Sequence, residues 1–231
     1  MNNDGPDDYD PSEFPPFAVT VDLVVLTVRP PDMEILLVQR TEAPHRGRWA
    51  LPGGFVGPSQ DLLTAAQAKL ADKTGVDVDR AHLEQLATFG DPKRDPRMRI
   101  VSVAYLAMVP EPDELGVESA AWHPTDKLGD LKLAFDHEKI AQAGIERARA
   151  KLEYSTLGTS FCDETFTIVE LRNVYEAVWG TTLDPANFHR KALASDGFVE
   201  ATGESISQGR GRPAQVYRAG TATKLHPPIS R

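Results

Sequence analysis

The apolar pattern of this chain changes its period near residue 155, and a chain patterned in two ways must build two kinds of unit. Upstream, FAVTVDLVVLTV (Phe17–Val28) is rich in β-branched residues and long enough for a strand. The PPDM turn (Pro30–Met33) follows, and ILLVQR (Ile35–Arg40) supplies a hairpin partner. WALPGGF (Trp49–Phe55) reads as a short strand running into a glycine pair. DLLTAAQAKLADKTG then spaces Leu62, Leu63, Ala66 and Leu70 for a helix, with Gly75 as its stop. HLEQLATFG, Ile100–Val109 and AAWHP (Ala120–Pro124) are further strands, and Phe135–Tyr154 is a long amphipathic helix. Strands and helices mixed in this way predict an α/β or α+β layered domain over residues 16–154.

Downstream, Thr167 with Glu170 three residues on forms a capping box for a helix that ends at Gly180. Its apolar stripe is Ile168, Leu171, Val174, Tyr175 and Val178. After the TTLD turn, Asp184 caps a second helix, PANFHRKALAS, whose first residue is proline, where a missing N–H costs nothing. Two strands, FVEAT and AQVYRA, flank GESISQGRGRP. Two short helices, a tight turn and a basic hairpin predict a winged helix-turn-helix over residues 155–225. At 100° per residue, Phe188, Ala192, Leu193 and Asp196 fall on one side of the second helix, with His189 assigned to that inner side. Asn187, Arg190 and Lys191 fall opposite; such side chains read adenine and guanine edges or bind phosphate. Thr182 in the turn offers a hydroxyl to phosphate, and Arg210 and Arg212 lie among glycines in the hairpin tip. Taken singly, each of these is an ordinary surface residue; their order along one chain is what points to DNA.

A net charge of −9 is poor material for a nucleic-acid binder, but the charge is segregated. From Thr165 onward eight Lys/Arg meet six Asp/Glu, so the excess of acid lies upstream, partly in a tail over residues 1–15 expected to be disordered. That opening, MNNDGPDDYDPSEFPP, is the reverse of a basic and then apolar leader, which makes the cytoplasm the expected compartment. The single cysteine, Cys162, excludes an intramolecular disulfide and a cysteine-built zinc site.

GGFVGPSQDLLTAAQAKLADKTGV (Gly53–Val76) resembles the signature of the Nudix family of nucleoside-diphosphate hydrolases, G-x5-E-x7-R-E-U-x-E-E-x-G-U. With Gly54 as its start, Leu70, Gly75 and Val76 fall in register, and the flanking LLVQR and WALPGGF match as well. The chemical positions do not match. Gln60 stands for the first glutamate, Ala68 for the arginine, Lys69 for the next glutamate, and Asp72 and Lys73 for the final glutamate pair. In the family those carboxylates hold a divalent cation against pyrophosphate, and hard cations need several oxygen ligands. No metal, no cofactor and no catalytic residue is therefore expected. The two lysines either hold a phosphate in place of the cation or simply solvate the outer side of their helix.

The ligand residues expected for such a domain are Arg40, Arg48, Trp49, Gly53, Gly54, Phe55, Arg97, Arg99, Phe135 and His137, arginines for phosphate and aromatics for a base. Arg46 and Arg94 share the loop or strand-end placement of these arginines, and Asp136 and His137 also suit the cap of the long helix. LAFDHEKI, FTIVELRNVYEAVWG, DPANFHRK and GRGRPAQVYR, in that order behind a degenerate Nudix box, are similar to the NrtR family of bacterial regulators. The resemblance implies a homodimer that binds a palindromic operator in double-stranded DNA and represses genes of NAD synthesis or salvage. It also implies ADP-ribose or a related nucleotide as effector. Other branches regulate pentose use, and a Nudix pyrophosphatase acting on ADP-ribose or NADH and a protein-interaction adaptor are the rival readings.

Overall fold

The computed structural model describes residues 10–74, 81–110, 112, 115, 119–207 and 213–229. Its first half is organised by β1 (Ala18–Arg29), whose apolar run is buried on both faces. That is the signature of a strand at the centre of a layered sandwich. β1 pairs antiparallel with β2 (Asp32–Gln39), as the hairpin reading expects, and parallel with β6 (Ile100–Met108), from Ala18 opposite Ile100 to Leu26 opposite Met108. β5 (His82–Phe89) extends the sheet beyond β6, and β7 (Ala120–Pro124) pairs with β2. Trp49–Phe55 is not one strand. β3 (Trp49–Ala50) pairs with β2 and β4 (Gly53–Phe55) with β1, and Leu51 and Pro52 carry the chain from one neighbour to the other.

Side chains of β1 alternate between two cores. Val21, Leu23 and Val25 pack with Leu36, Ala65, Ala66 and Leu70 under α1 (Leu62–Thr74). Val24, Leu26 and Val28 pack with Ile140, Ile145 and Ala148 of α2 (His137–Tyr154). The apolar matter under α2 does not stop at the sheet. It continues into Tyr175, Val178, Phe188 and Phe198 of the C-terminal elements.

Those elements are β8 (Phe166–Thr167), α3 (Ile168–Trp179), α4 (Pro185–Ala194), β9 (Val199–Ile206) and β10 (Ala214–Ala219). β8, too short to stand out in the sequence, joins β10 and β9 in a three-stranded sheet. The capping box of α3 is present: the Thr167 hydroxyl accepts from the Glu170 amide, and Glu170 accepts from the Thr167 amide at 2.7 Å. Gly180 closes the helix in the left-handed conformation (φ 62°), and Asp184 caps α4 through the Asn187 amide at 2.7 Å. In the N-terminal segment, Pro11–Glu13 form a short 3₁₀ turn, while residues 1–9 lie outside the described residues. Among the described residues no helix is long and apolar enough to cross a membrane.

Three hydrogen bonds fix α2 to α3. Tyr175 donates its hydroxyl to Leu152 O at 3.2 Å, Trp179 Nε1 donates to Arg149 O at 3.2 Å, and Arg149 Nε donates to Val178 O at 3.0 Å. On its opposite side α2 presses against β1 at Gly144, where a β-carbon would lie 2.5 Å from Val24 Cγ1. A Gly-to-Ala change inside a helix ordinarily gains about 1 kcal/mol of propensity. Here the added methyl meets a stiff β-branched side chain in a filled core, and overpacking of that kind costs roughly 1–3 kcal/mol. Gly144→Ala is expected to lower stability by up to about 2 kcal/mol in denaturant titration, the overpacking cost less the gain in propensity; a net gain would show that this packing yields.

Candidate ligand cleft and nucleic-acid interface

β1, β4, the loop before β6 and the N-terminus of α2 meet around a recess of about 140 Å³, and a second hollow of about 430 Å³ adjoins it through Arg40, Leu51, Gly53 and Arg97. The floor is a buried ionic cluster. Asp22, the polar break in the apolar run of β1, accepts from the Ser102 hydroxyl and from Arg94 Nη2 at 3.3 Å. Arg94 also grips Asp136 in a fork, through Nε at 3.0 Å and Nη2 at 2.7 Å. Burial works against the charge on Arg94, but its bonds to Asp136 and the field of Asp22 hold its pKa above the ordinary guanidinium value. Arg94 is therefore a structural cation, and Asp136, at the N-cap position of α2, spends its carboxylate on Arg94 instead of capping the helix.

His137 stands beside this cluster, buried, with Nδ1 accepting from the Leu51 amide at 2.9 Å. A ring that accepts at Nδ1 carries its neutral-form proton on Nε2, which lies 3.7 Å from Asp22 Oδ1. Burial pushes the pKa of His137 down; Asp22 and Asp136 oppose this, while Arg94 and Arg40 reinforce it.

Above the floor the recess is cationic and aromatic. The Phe135 ring has Arg40 Cζ 4.8 Å and Arg97 Cζ 5.6 Å from its centroid, and the His45 ring meets it edge-on at 4.8 Å. Phe55 flanks Arg97 at 5.4 Å. Phe135 (φ 52°) and His45 (φ 66°) both hold left-handed backbone, a conformation that costs a bulky residue roughly 1–3 kcal/mol and is concentrated at working sites. This turn at Phe135 also sets the true start of α2 two residues later than the apolar pattern suggests. Arg97 is aimed by Asp95, which accepts from its Nη2 at 2.7 Å and its Nε at 3.0 Å. That bond raises the pKa of Arg97, while burial and then the charge of Arg97 lower that of Arg40.

Seven expected ligand residues therefore come together: Arg40, Gly53, Gly54, Phe55, Arg97, Phe135 and His137 all line the recess. Three do not line it. Trp49 packs edge-on against His123 at 4.6 Å and serves the core, and Arg48 is exposed on the neighbouring loop. Arg99 lies over Phe17 at 5.8 Å and donates to Gly90 O at 2.8 Å. Thr20, Asp22 and Asp95 also line the recess, and nothing in residue type alone marks them for it. An aspartate inside an otherwise apolar strand was the available signal for Asp22, because a buried charge requires a partner.

At the other end of the molecule α4 buries only Phe188 and Ala192 of its own length. Leu193 is 45% exposed, and Asp196 and His189 are exposed as well, so the inner arc of this ten-residue helix is narrower than the wheel implies. His189 faces a groove of about 680 Å³ shared with Val169, Ser205 and Gln215, between α4, the start of α3 and the hairpin. Asn187 and Arg190 stand outward together, Arg190 Nη2 donating to Asn187 Oδ1 at 2.6 Å. Lys191 is half-buried and has a contact of its own. Thr182 turns toward Pro30 and Pro31 at the tip of the β1–β2 hairpin, in a groove shared with Asn173 and Glu176. Arg210 and Arg212 lie outside the described residues.

A mixed sheet between two helices, with a degenerate glutamate helix on one face and a helix-turn-helix plus β-hairpin behind it, defines a Nudix-type domain fused to a winged helix. Residues 18–143 match the NUDIX domain, and residues 158–219 match the NrtR DNA-binding winged helix domain. Over 216 residues the chain is 38% identical to the ADPR responsive transcriptional repressor NtrR of Acinetobacter baylyi, spanning 91% of this chain and 85% of that one. The chain belongs to the NrtR family. Its fold is similar to the crystal structure of Shewanella oneidensis NrtR complexed with a 27mer DNA, at 33% identity and a TM-score of 0.74 over 87% of this chain and 93% of that one. It is also similar to the NUDIX domain of Shewanella oneidensis NrtR complexed with ADP ribose, at 35% identity and a TM-score of 0.54 over 61% of this chain and 94% of that one.

The side chains in place are a poor match for the divalent cation that the Nudix fold implies. Gln60 Oε1 accepts from the Gly57 amide at 3.1 Å and closes its own loop. Ala68 has no donor atom, and Lys69 turns toward Gly54. Asp72 is left as the carboxylate of that helix face, and among the described residues no group of three or more His, Cys, Asp or Glu can hold an ion. This donor set does not fit a hard divalent cation.

His137 generates a pH dependence with a definite sign. Above the unfolded value of about 6.5 both states hold a neutral ring and the residue contributes nothing. As pH falls below that value, the unfolded chain binds a proton that the folded site refuses, and stability is lost. His137→Asn keeps an acceptor for the Leu51 amide but does not titrate. Between pH 7.5 and pH 5 the melting temperature of the variant is expected to fall less than that of the wild type. Equal falls would mean that His137 is not held neutral.

Proposed function

We propose that this chain is a DNA-binding transcriptional repressor whose Nudix domain (residues 16–154) senses ADP-ribose or a related nucleotide. In this reading its winged helix (residues 155–225) binds operator DNA. The observation that carries the proposal is the coexistence, in one chain, of an arginine-and-phenylalanine recess over a buried ionic floor and an outward Asn187–Arg190 pair on a second helix. Arg40 and Arg97 suit a diphosphate, and Phe135 suits a base or a ribose face. The similar repressor of Acinetobacter baylyi is ADPR responsive, and the similar Shewanella oneidensis structures hold a 27mer DNA and ADP ribose. The acidic total does not oppose DNA binding, because phosphate contacts depend on the field within about 10 Å at 0.1 M salt.

The proposed working form is a cytoplasmic homodimer on a palindromic operator, two winged helices reaching successive major grooves about 34 Å apart. The genes proposed are those of NAD synthesis or salvage. Pyrophosphate hydrolysis is not part of the proposal, because Gln60, Ala68 and Lys69 replace the groups that would hold its metal. A ligand releases DNA when it binds better to a dimer geometry that misplaces the two helices, and a differential of roughly 3 kcal/mol weakens the operator complex over 100-fold.

A gel shift on inverted-repeat promoter DNA checks the reading. Wild-type protein is expected to shift the operator, ADP-ribose to weaken the shift, and Arg190→Ala to weaken it about tenfold or more, the cost of one base-reading arginine. A wild-type protein that leaves DNA unshifted at low salt would sink the proposal. Magnesium-dependent release of AMP would restore the enzyme reading.

A further inference from the structure

The helix that carries metal ligands in Nudix enzymes presents a lysine here, and its position is specific. The stem of Lys69 crosses Gly54 so closely that a β-carbon there would lie 2.9 Å from its Cε and 3.4 Å from its Nζ. Gly54 lines the recess together with Arg40, Arg97 and Phe135. The missing side chain at residue 54 is thus the seat of the lysine. Lys69 is half-buried, and it has no anionic partner among the described residues. It is not a residue solvating the outer side of its helix. An ammonium that no carboxylate holds is available to a bound anion.

The cations that line the recess are Arg97, oriented by Asp95, and Arg40, whose pKa burial and the charge of Arg97 lower. Lys69 reaches Gly54 from α1, so an anion seated on the Gly53–Gly54 strand would meet its ammonium in addition to Arg40 and Arg97. A diphosphate uses several cations better than a single carboxylate does, because each phosphoryl group carries its own negative charge.

We propose that the Lys69 ammonium replaces the divalent cation of the Nudix site as a fixed counter-ion for the effector's diphosphate, so that effector binding needs no metal. The proposal rests on the reading of the recess as a nucleotide sensor. A covalently tethered charge holds a diphosphate without activating a water molecule, so the same substitution that removes hydrolysis retains binding. It also removes any dependence of sensing on the magnesium level.

Isothermal titration calorimetry of the full chain with ADP-ribose tests this, in EDTA and in millimolar magnesium. The wild type is expected to bind with the same affinity, within twofold, in both buffers. Lys69→Met is expected to lose about tenfold or more in both, Lys69→Arg to retain most of the affinity, and each variant to melt within a few degrees of the wild type. Lys69→Glu, which reverses the charge at that point, is expected to bind more weakly than Lys69→Met in both buffers; binding as tight as the wild type would overturn the proposal. Loss of wild-type binding in EDTA would overturn the proposal, as would undiminished binding by Lys69→Met; both outcomes leave the sensor reading intact. A wild type that binds no ADP-ribose in either buffer would overturn the sensor reading and this proposal together.

Discussion

The two halves of this molecule bury their apolar surfaces on one helix. α2 lays Ile140, Ala141, Ile145 and Ala148 on the sheet, while its last turns meet Tyr175 and Trp179 of α3. Neither half covers this helix by itself. Tyr175 and Trp179 bring polar atoms into that contact, and each finds an α2 backbone carbonyl, so the burial of large aromatic area carries no unsatisfied donor. An 18-residue helix spans roughly 27 Å, so α2 reaches from the ligand recess to the helix-turn-helix without a break.

The recess end of that helix is fixed by charge. Arg94 lies between Asp22 on the central strand and Asp136 at the helix start, and all three are withdrawn from water to different degrees. A buried pair of this kind adds little net stability against an apolar replacement, but it leaves few alternative arrangements, because any shift strands a charge. His137, neutral and bonded to the Leu51 amide, joins the same helix turn to the switch of the chain from β3 to β4. Gly53, Phe55 and Phe135, which line the recess, are thus one step away from the origin of α2. Coupling between the two sites has a continuous packed element to run through, which is a physical requirement for one site to bias the other.

Much of this architecture is legible in the residues, because period and capping are local properties. The β-branched run of β1, its hairpin partner β2, the Thr167–Glu170 box and proline at the start of α4 all lie where the sequence places them. The failures are non-local. The split of Trp49–Phe55 into two strands depends on which neighbours are available, and β8 exists because β10 returns to it. A helical wheel assumes an inner face of fixed width, and it misplaced His189 and Leu193 because α4 rests on its support through Phe188 and Ala192 alone. Of the ten positions that residue type picks out, seven line one recess. Arg94 shows the limit: its sequence context is that of a loop arginine aimed at phosphate, and only its partners 72 and 42 residues away reveal a structural ion.

The end of α2 bears on how such a regulator can be taken apart. Leu225 and Ile229 return across the molecule to donate their amides to Tyr154 O and Glu153 O, and both side chains are buried. Ser155 bridges Lys224 as the chain leaves the helix. Scission at the apparent seam after Tyr154 would therefore strip grease from both fragments and orphan the terminal carbonyls of the helix. Chimaeras grafting a foreign DNA reader onto this sensor need to carry the last turns of α2 and the returning 224–229 segment as one inheritance.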